Sequence, residues 1–136
     1  MTTDHDAALA DSAPNPALAQ HIAQWVELFN ARDLTGLAGL YEPDSIVVPR
    51  PGHPAAGQHR AAALAHLAGM GLPMRAALRL AYTAGDIALL LVDWSMQGTM
   101  PDGHEITLHG TATDVARRGA DGRWRYVIDN PAGIAT

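Results

Sequence analysis

Apolar positions in the first third of the chain recur at helical spacing. Leu18, Ile22, Trp25 and Phe29 follow i, i+4, i+7, i+11 and predict one buried stripe on a helix over residues 17–31. Asp33 is suited to cap a short second helix with Leu34, Leu37, Leu40 and Tyr41 as its buried face, and Pro43 and Asp44 end it. Ile46-Val47-Val48 reads as a short strand, closed by Pro49-Arg50-Pro51-Gly52, which a central strand does not tolerate. Gly57 leads into a third helix over residues 58–68, with Ala61, Leu64 and Leu67 or Ala68 on one face.

Beyond Met74 the period changes to two. Met74, Ala76, Leu78, Leu80 and Tyr82 alternate with Arg75, Arg79 and Thr83, the pattern of a half-buried strand. Ala84-Gly85 turns into a strand over residues 87–97, whose Ile87–Val92 half is apolar on both faces. Gly98–Gly103 is a loop signal, followed by a strand over residues 105–118 and, after Gly119-Ala120-Asp121-Gly122, another over residues 124–130. Helices, one short strand, a helix and a four-strand antiparallel meander make an α+β fold: a curved sheet with helices on one face. Residues 1–16, rich in Asp, Ala and Pro, are expected to be a flexible tail, and residues 17–136 a single domain.

Composition narrows the chemistry. The 136 residues contain no cysteine and no lysine, so disulfides, thiolate nucleophiles, Schiff bases and a phosphate-loop lysine are excluded. A net charge of -5 argues against nucleic acid as a partner. No apolar run approaches the roughly 18–20 residues that cross a bilayer, and the acidic start lacks a signal peptide's basic region, so the expected location is the cytoplasm. No serine sits in a nucleophile elbow and no histidine pair has zinc-motif spacing, so neither a hydrolase triad, a metal nor a cofactor is expected.

Several segments, Phe29-Asn30-Ala31-Arg32-Asp33-Leu34, Leu40–Val48, Gly57 and Asp121-Gly122-Arg123-Trp124-Arg125, resemble the nuclear transport factor 2-like superfamily over residues 17–133. Within it, the chain is most similar to the ketosteroid-isomerase-like and polyketide-cyclase (SnoaL-like) group. The resemblance implies a cone: a strongly curved mixed or antiparallel sheet, with about three N-terminal helices closing over an apolar cavity. It also implies that the chemistry, where there is any, resides in cavity residues. Against the ketosteroid isomerase pattern, the catalytic base falls on Pro49, the oxyanion-hole tyrosine on Trp25, and the protonated aspartic acid at Thr113, give or take one residue. A steroid isomerase mechanism is therefore not expected.

The remaining candidates lie on the meander. Pairing across the Gln97–His104 loop sets Asp93 almost opposite His109, and pairing across Gly119–Gly122 sets Asp129 across from Thr111–Thr113. Asp129, His109 and Asp93 are accordingly the expected catalytic groups, since carboxylates flanking an imidazole suit general acid–base work. One objection is internal: Trp124, Tyr126 and Ile128 alternate as a core face, which turns Asp129 outward unless a bulge intervenes. Trp25, Tyr41, Arg50, His53, Trp94, Thr111, Thr113 and Asn130 are the expected pocket residues, with Arg50 and His53 at its mouth. Leu90, Val92, Trp94 and Met96 on the outer face would favour a homodimer through the sheet. The expected function is proton transfer of the isomerase, cyclase or lyase type on a small apolar carbonyl or polycyclic compound. The alternative is a non-catalytic binding or assembly module of the same fold.

Overall fold

The computed structural model describes residues 15–135; the expected tail lies, up to residue 14, outside them. Helix α1 spans Pro16–Asn30, α2 Leu34–Ala38 and α3 Gly57–Gly69. The strands are β1 Tyr41–Arg50, β2 His53–Ala56, β3 Met74–Ala84, β4 Ile87–Thr99, β5 Glu105–Arg118 and β6 Trp124–Asp129. Asn15 and Pro16 belong to the first helix rather than the tail: the Asn15 side chain accepts from the Ala17 amide at 2.8 Å, and Pro16 occupies the first turn. Among the described residues no helix is long and apolar enough to cross a membrane.

One mixed sheet runs in the order β2-β1-β6-β5-β4-β3, in which only the β1–β6 pair is parallel. It is an open sheet rather than a closed barrel, because β2 and β3 have no mutual partner. Helix α1 lies against β3 and β6, and α3 against β1 and β2. Two boundaries differ from the expected ones. Tyr41 starts β1 instead of ending α2, because β6 offers its backbone: the Tyr126 amide donates to Leu40 O at 2.8 Å. The prolines around Gly52 do not stop the sheet there. They sit in a hairpin at its edge, where missing ladder donors are tolerated.

Even-numbered positions of β4 and β5 face the helices, so Leu90, Val92 and Met96 are buried and Trp94 half-buried on the inner side. The expected outward apolar face is therefore the inward one. A run apolar on both sides carries no parity signal, and helix packing makes the choice. The outer side instead carries Tyr82 and Leu89, opposite each other and both exposed.

His21 belongs to the buried stripe of α1, 4% exposed, edge-on to the Tyr126 ring with centroids 4.5 Å apart. Its Nε2 has no hydrogen-bond partner, and burial lowers its pKa from 6.5 to about 4. Above pH 6.5 the ring is neutral in both folded and unfolded chains and contributes no pH dependence. Between 6.5 and 4 the unfolded chain takes up a proton that the folded chain refuses, so stability falls on acidification, by about 3 kcal/mol over the window. Subtracting the His21→Leu stability from the wild-type stability, by urea titration at each pH, should reproduce that slope. A pH-independent difference would show that His21 does not titrate this way.

After β6 the chain folds back on β5. The Thr113 amide donates to Asn130 O at 3.1 Å, and Asn130 Nδ2 donates to Thr113 Oγ1 and to Gly133 O, both at 3.0 Å. Gly133 has φ +62°, and a Cβ there would overlap the Thr111 carbonyl oxygen. Gly133→Ala should cost roughly 2–4 kcal/mol, the range for a strained backbone that must shift to relieve a clash. Thermal melting reads this out, and an unchanged midpoint would mean that the turn is not seated.

Candidate active site

Between α1, α3 and the inner face of the sheet lies a cavity of about 70 Å³. Ile22, Trp25, Leu64, Met74, Val92 and Trp94 give it apolar walls, and Asp114, Tyr126 and Asp129 supply its polar end. Ionising two carboxylates in such surroundings is expensive unless donors surround them.

Asp129 faces inward because β6 carries a bulge. Ala116 pairs with Tyr126 but Val115 pairs with Ile128, so one step on β5 corresponds to two on β6, and Val127 is left over. Trp124, Tyr126 and Asp129 are consequently all buried despite their mixed parity. The next step along both strands brings Asp114 beside Asp129.

Tyr41 reaches the same place through a second irregularity, between Tyr41 and Ile46 of β1. Arg60 of α3 stabilises that segment: its Nη1 donates to Glu42 O at 2.9 Å, Ser45 O at 3.2 Å and Ser45 Oγ at 2.6 Å, while Ser45 Oγ donates to Glu42 O at 2.6 Å. The guanidinium also lies 5.3 Å from the centre of the Tyr41 ring, a cation–π distance.

The polar groups form one network. Trp25 Nε1 donates to Tyr41 Oη at 2.9 Å, and Tyr41 Oη donates to Asp129 Oδ2 at 2.5 Å. Asp114 and Asp129 hydrogen-bond to each other, the Tyr126 hydroxyl donates to Asp114, and the Asn130 amide donates to Asp114 Oδ1 at 2.8 Å. Asp114 is 2% exposed and Asp129 8%. Burial pushes both carboxyls above the ordinary range, and the nearby Asp129 charge raises Asp114 further. Donation from Tyr41 works the other way on Asp129, and the two carboxyls titrate as one pair that shares a proton. Burial, above all, holds the Tyr41 and Tyr126 phenols well above pH 10.

Asp129, Trp25 and Trp94 thus line the cavity and Tyr41 adjoins it through its hydrogen bond to Asp129, but the rest of the expected set does not meet there. Asp93 pairs with Thr111 rather than His109, which sits opposite Ser95, and all three of Asp93, His109 and Thr111 line the outer face. There Arg79 donates to both Asp93 oxygens at 2.7 and 2.8 Å, and Thr111 Oγ1 donates to Asp93 Oδ1 at 2.8 Å. Thr113 also points outward, toward the Asn130 side chain, so Asn130 touches the site only through its backbone amide. Arg50 and His53 pair across the exposed β1–β2 turn and do not line the cavity. The hairpin pairing assumed for β4 and β5 was out of step by three residues, and an odd shift exchanges faces.

Asp114 is the residue missed by the hairpin pairing. It shares parity with the buried Ala112 and Ala116, which was a readable signal, and it lies one residue from the protonated-acid position of the isomerase comparison. Pro49 is exposed, as a strand-end proline can be. Among the described residues no three acidic or histidine side chains converge as a metal ion would require.

With this geometry in view, the relatives are informative about fold. A conserved protein from Planctomyces limnophilus superposes with a TM-score of 0.75 at 20% identity, over 84% of this chain and 91% of that one. A ketosteroid isomerase-like protein from Erwinia carotovora gives 0.66 at 18%, over 86% and 93%. A protein of the NTF2-like family from Streptomyces avermitilis, whose name proposes a dehydratase, gives 0.70 at 19%, over 88% and 95%. No curated protein matches the sequence. The family model described as the SnoaL-like domain matches residues 22–127, most of the sheet and the helices that cover it, and the chain therefore belongs to the SnoaL-like domain family of NTF2-like proteins.

Proposed function

We propose that this protein is an acid–base enzyme that moves a proton on a small, largely apolar carbonyl compound, with Asp129 as the group that exchanges the proton. The observation that carries this reading is the pair of hydrogen-bonded carboxyls, Asp114 and Asp129, buried at the polar end of an otherwise apolar cavity. Binding alone would not require two acids there, since each carries a desolvation cost. A carboxylate whose pKa is raised by burial is a stronger base in its ionised form and lies closer to neutral pH, as proton transfer favours. Tyr41 donates to Asp129 from one side and Asp114 adjoins it on the other, so the carboxylate that exchanges the proton is held in a fixed orientation. Size narrows the substrate: a cavity of about 70 Å³ is roughly half the 150 Å³ that holds benzene. A small carbonyl compound is favoured over the polycyclic class, which would require the walls to part.

Exchange of α-hydrogens for deuterium, followed by NMR over a panel of small ketones and hydroxyketones, tests the reading without a known substrate. Acceleration of about 10²–10⁴-fold over buffer is expected, falling to background in Asp129→Asn. Equal exchange in wild type and variant would overturn the assignment. The same variant should fold. In the wild type the Asp129 pKa is raised above its ordinary 3.8, so its stabilising contribution is present below that pH and is lost as pH rises through the folded value. Asp129→Asn, free of that loss, should gain stability relative to wild type as pH rises from below 3.8 to neutral. Urea unfolding at both ends checks the sign.

A further inference from the structure

The proton inventory of the cavity has a consequence for what can enter it. Each side-chain donor that lines the described cavity is already committed. Trp25 Nε1 points at Tyr41, and Trp94 Nε1 donates to Pro131 O at 2.8 Å. The Tyr126 hydroxyl is turned to Asp114, and the proton shared by the two carboxyls lies between them. Tyr41, which adjoins the site, spends its own hydroxyl hydrogen on Asp129. What remains is acceptor capacity: a carboxylate offers about four lone-pair positions, and Tyr41 and Asp114 occupy two of those on Asp129.

We propose that the cavity takes its ligand hydroxyl-first: the substrate class is a small aliphatic compound whose O–H donates to Asp129, so that a hydroxy-carbonyl or enol is favoured over a bare ketone. This rests on the reading of Asp129 as the acid–base group and adds the polarity of the molecule presented to it. A ketone oxygen buried against these walls exchanges its water partners for none, because no side-chain donor faces it without abandoning its present partner. A hydroxyl loses its water and gains a charge-assisted acceptor. The difference corresponds to about tenfold or more in affinity.

The pair 2-propanol and acetone, four non-hydrogen atoms each, tests this on the full-length chain. Binding is followed by saturation-transfer NMR and by fluorescence of the cavity tryptophans. Such small probes bind weakly, so the ratio of dissociation constants is the quantity of interest. The wild type should favour the alcohol about tenfold or more at pH 8. In Asp129→Asn, whose side chain presents a donor as well as an acceptor, the ratio should fall toward unity. A measurement independent of the variant uses pH. The groups facing Asp129 are Tyr41, Asp114 and Tyr126, with Arg60 over the Tyr41 ring. Among these groups only the carboxyl pair gains a proton on acidification, the His21 ring beside Tyr126 staying neutral down to about pH 4. The pair then offers a donor, so the wild-type preference for the alcohol should weaken as pH falls toward that value. Equal binding at pH 8, binding of neither probe, or a preference untouched by both the variant and pH overturns the proposal. Because the readout is binding, it separates from the deuterium-exchange test. Exchange lost in Asp129→Asn together with equal binding of the two probes defeats this inference alone. An alcohol preference without exchange defeats only the catalytic reading.

Discussion

The structure turns on keeping two carboxyls side by side out of water. Two aspartates in contact, both more than nine-tenths buried, cannot both be ionised in an apolar setting at tolerable cost. Sharing one proton removes half the problem. The remaining negative charge is met by donors: Tyr41 on one side, Asp114 itself on the other, and behind Asp114 the Asn130 amide and the Tyr126 hydroxyl. Every one of these donors is held by something else. Trp25 fixes Tyr41 from α1, and β6 brings in Tyr126 together with Asp129, with Asn130 directly after it. No guanidinium forms an ion pair with either carboxyl among the described residues, which is why burial dominates their pKa values.

That arrangement explains features of the fold that regular pairing would not produce. A straight β6 would alternate Trp124, Tyr126, Ile128 inward and send Asp129 to solvent. The extra residue at Val127 restores it to the cavity without disturbing the core faces of Trp124 and Tyr126. A regular β1 would likewise lack the irregular stretch after Tyr41, whose carbonyls are left without ladder partners and are satisfied by Arg60. Two departures from ladder geometry in adjacent strands converge on a single hydrogen bond between Tyr41 and Asp129. Departures of this kind are conventionally found beside functional sites.

Most of the architecture was legible from spacing alone. The i, i+4, i+7 stripe of α1 and the period-two meander are strong signals, and Leu18, Ile22 and Phe29 are buried as the stripe requires. What spacing could not supply was register. The β4–β5 loop has no turn signature that fixes how many residues separate paired positions, and an error of three placed Asp93 and His109 opposite each other on the wrong face. The bulge was legible only as a need: Asp129 could serve the cavity if β6 gained one residue, and nothing in Tyr126-Val127-Ile128 announces it. Asp114, by contrast, stood in plain view between Ala112 and Ala116, a charged residue in the buried phase of a strand. The spacing allows Trp94 both in the pocket and on an outer dimer face, and only the pocket is compatible with the inward direction of its neighbours Val92 and Met96.

The two aspartate clusters of this sheet make the clearest case for reading face before residue type. Asp93 lies on the outer side with Arg79 and Thr111; Asp129 lies on the inner side with Tyr41 and Asp114. Each has a hydroxyl donor and one further close partner, and in sequence Asp93, with a histidine expected nearby, looked the equal of Asp129 as a catalytic candidate. Their chemistry diverges in opposite directions. Donation from the Arg79 guanidinium holds the Asp93 carboxyl below its ordinary range, where it is permanently ionised and a weak base. Burial, without a cation to offset it, lifts Asp129 above that range, toward the pH at which a carboxylate can both accept and return a proton. The same functional group on the same sheet is thus an ion-pair partner on one face and a buried carboxyl of raised pKa on the other. The difference is made by one inserted residue in β6 and by the helices that keep water from the inner side.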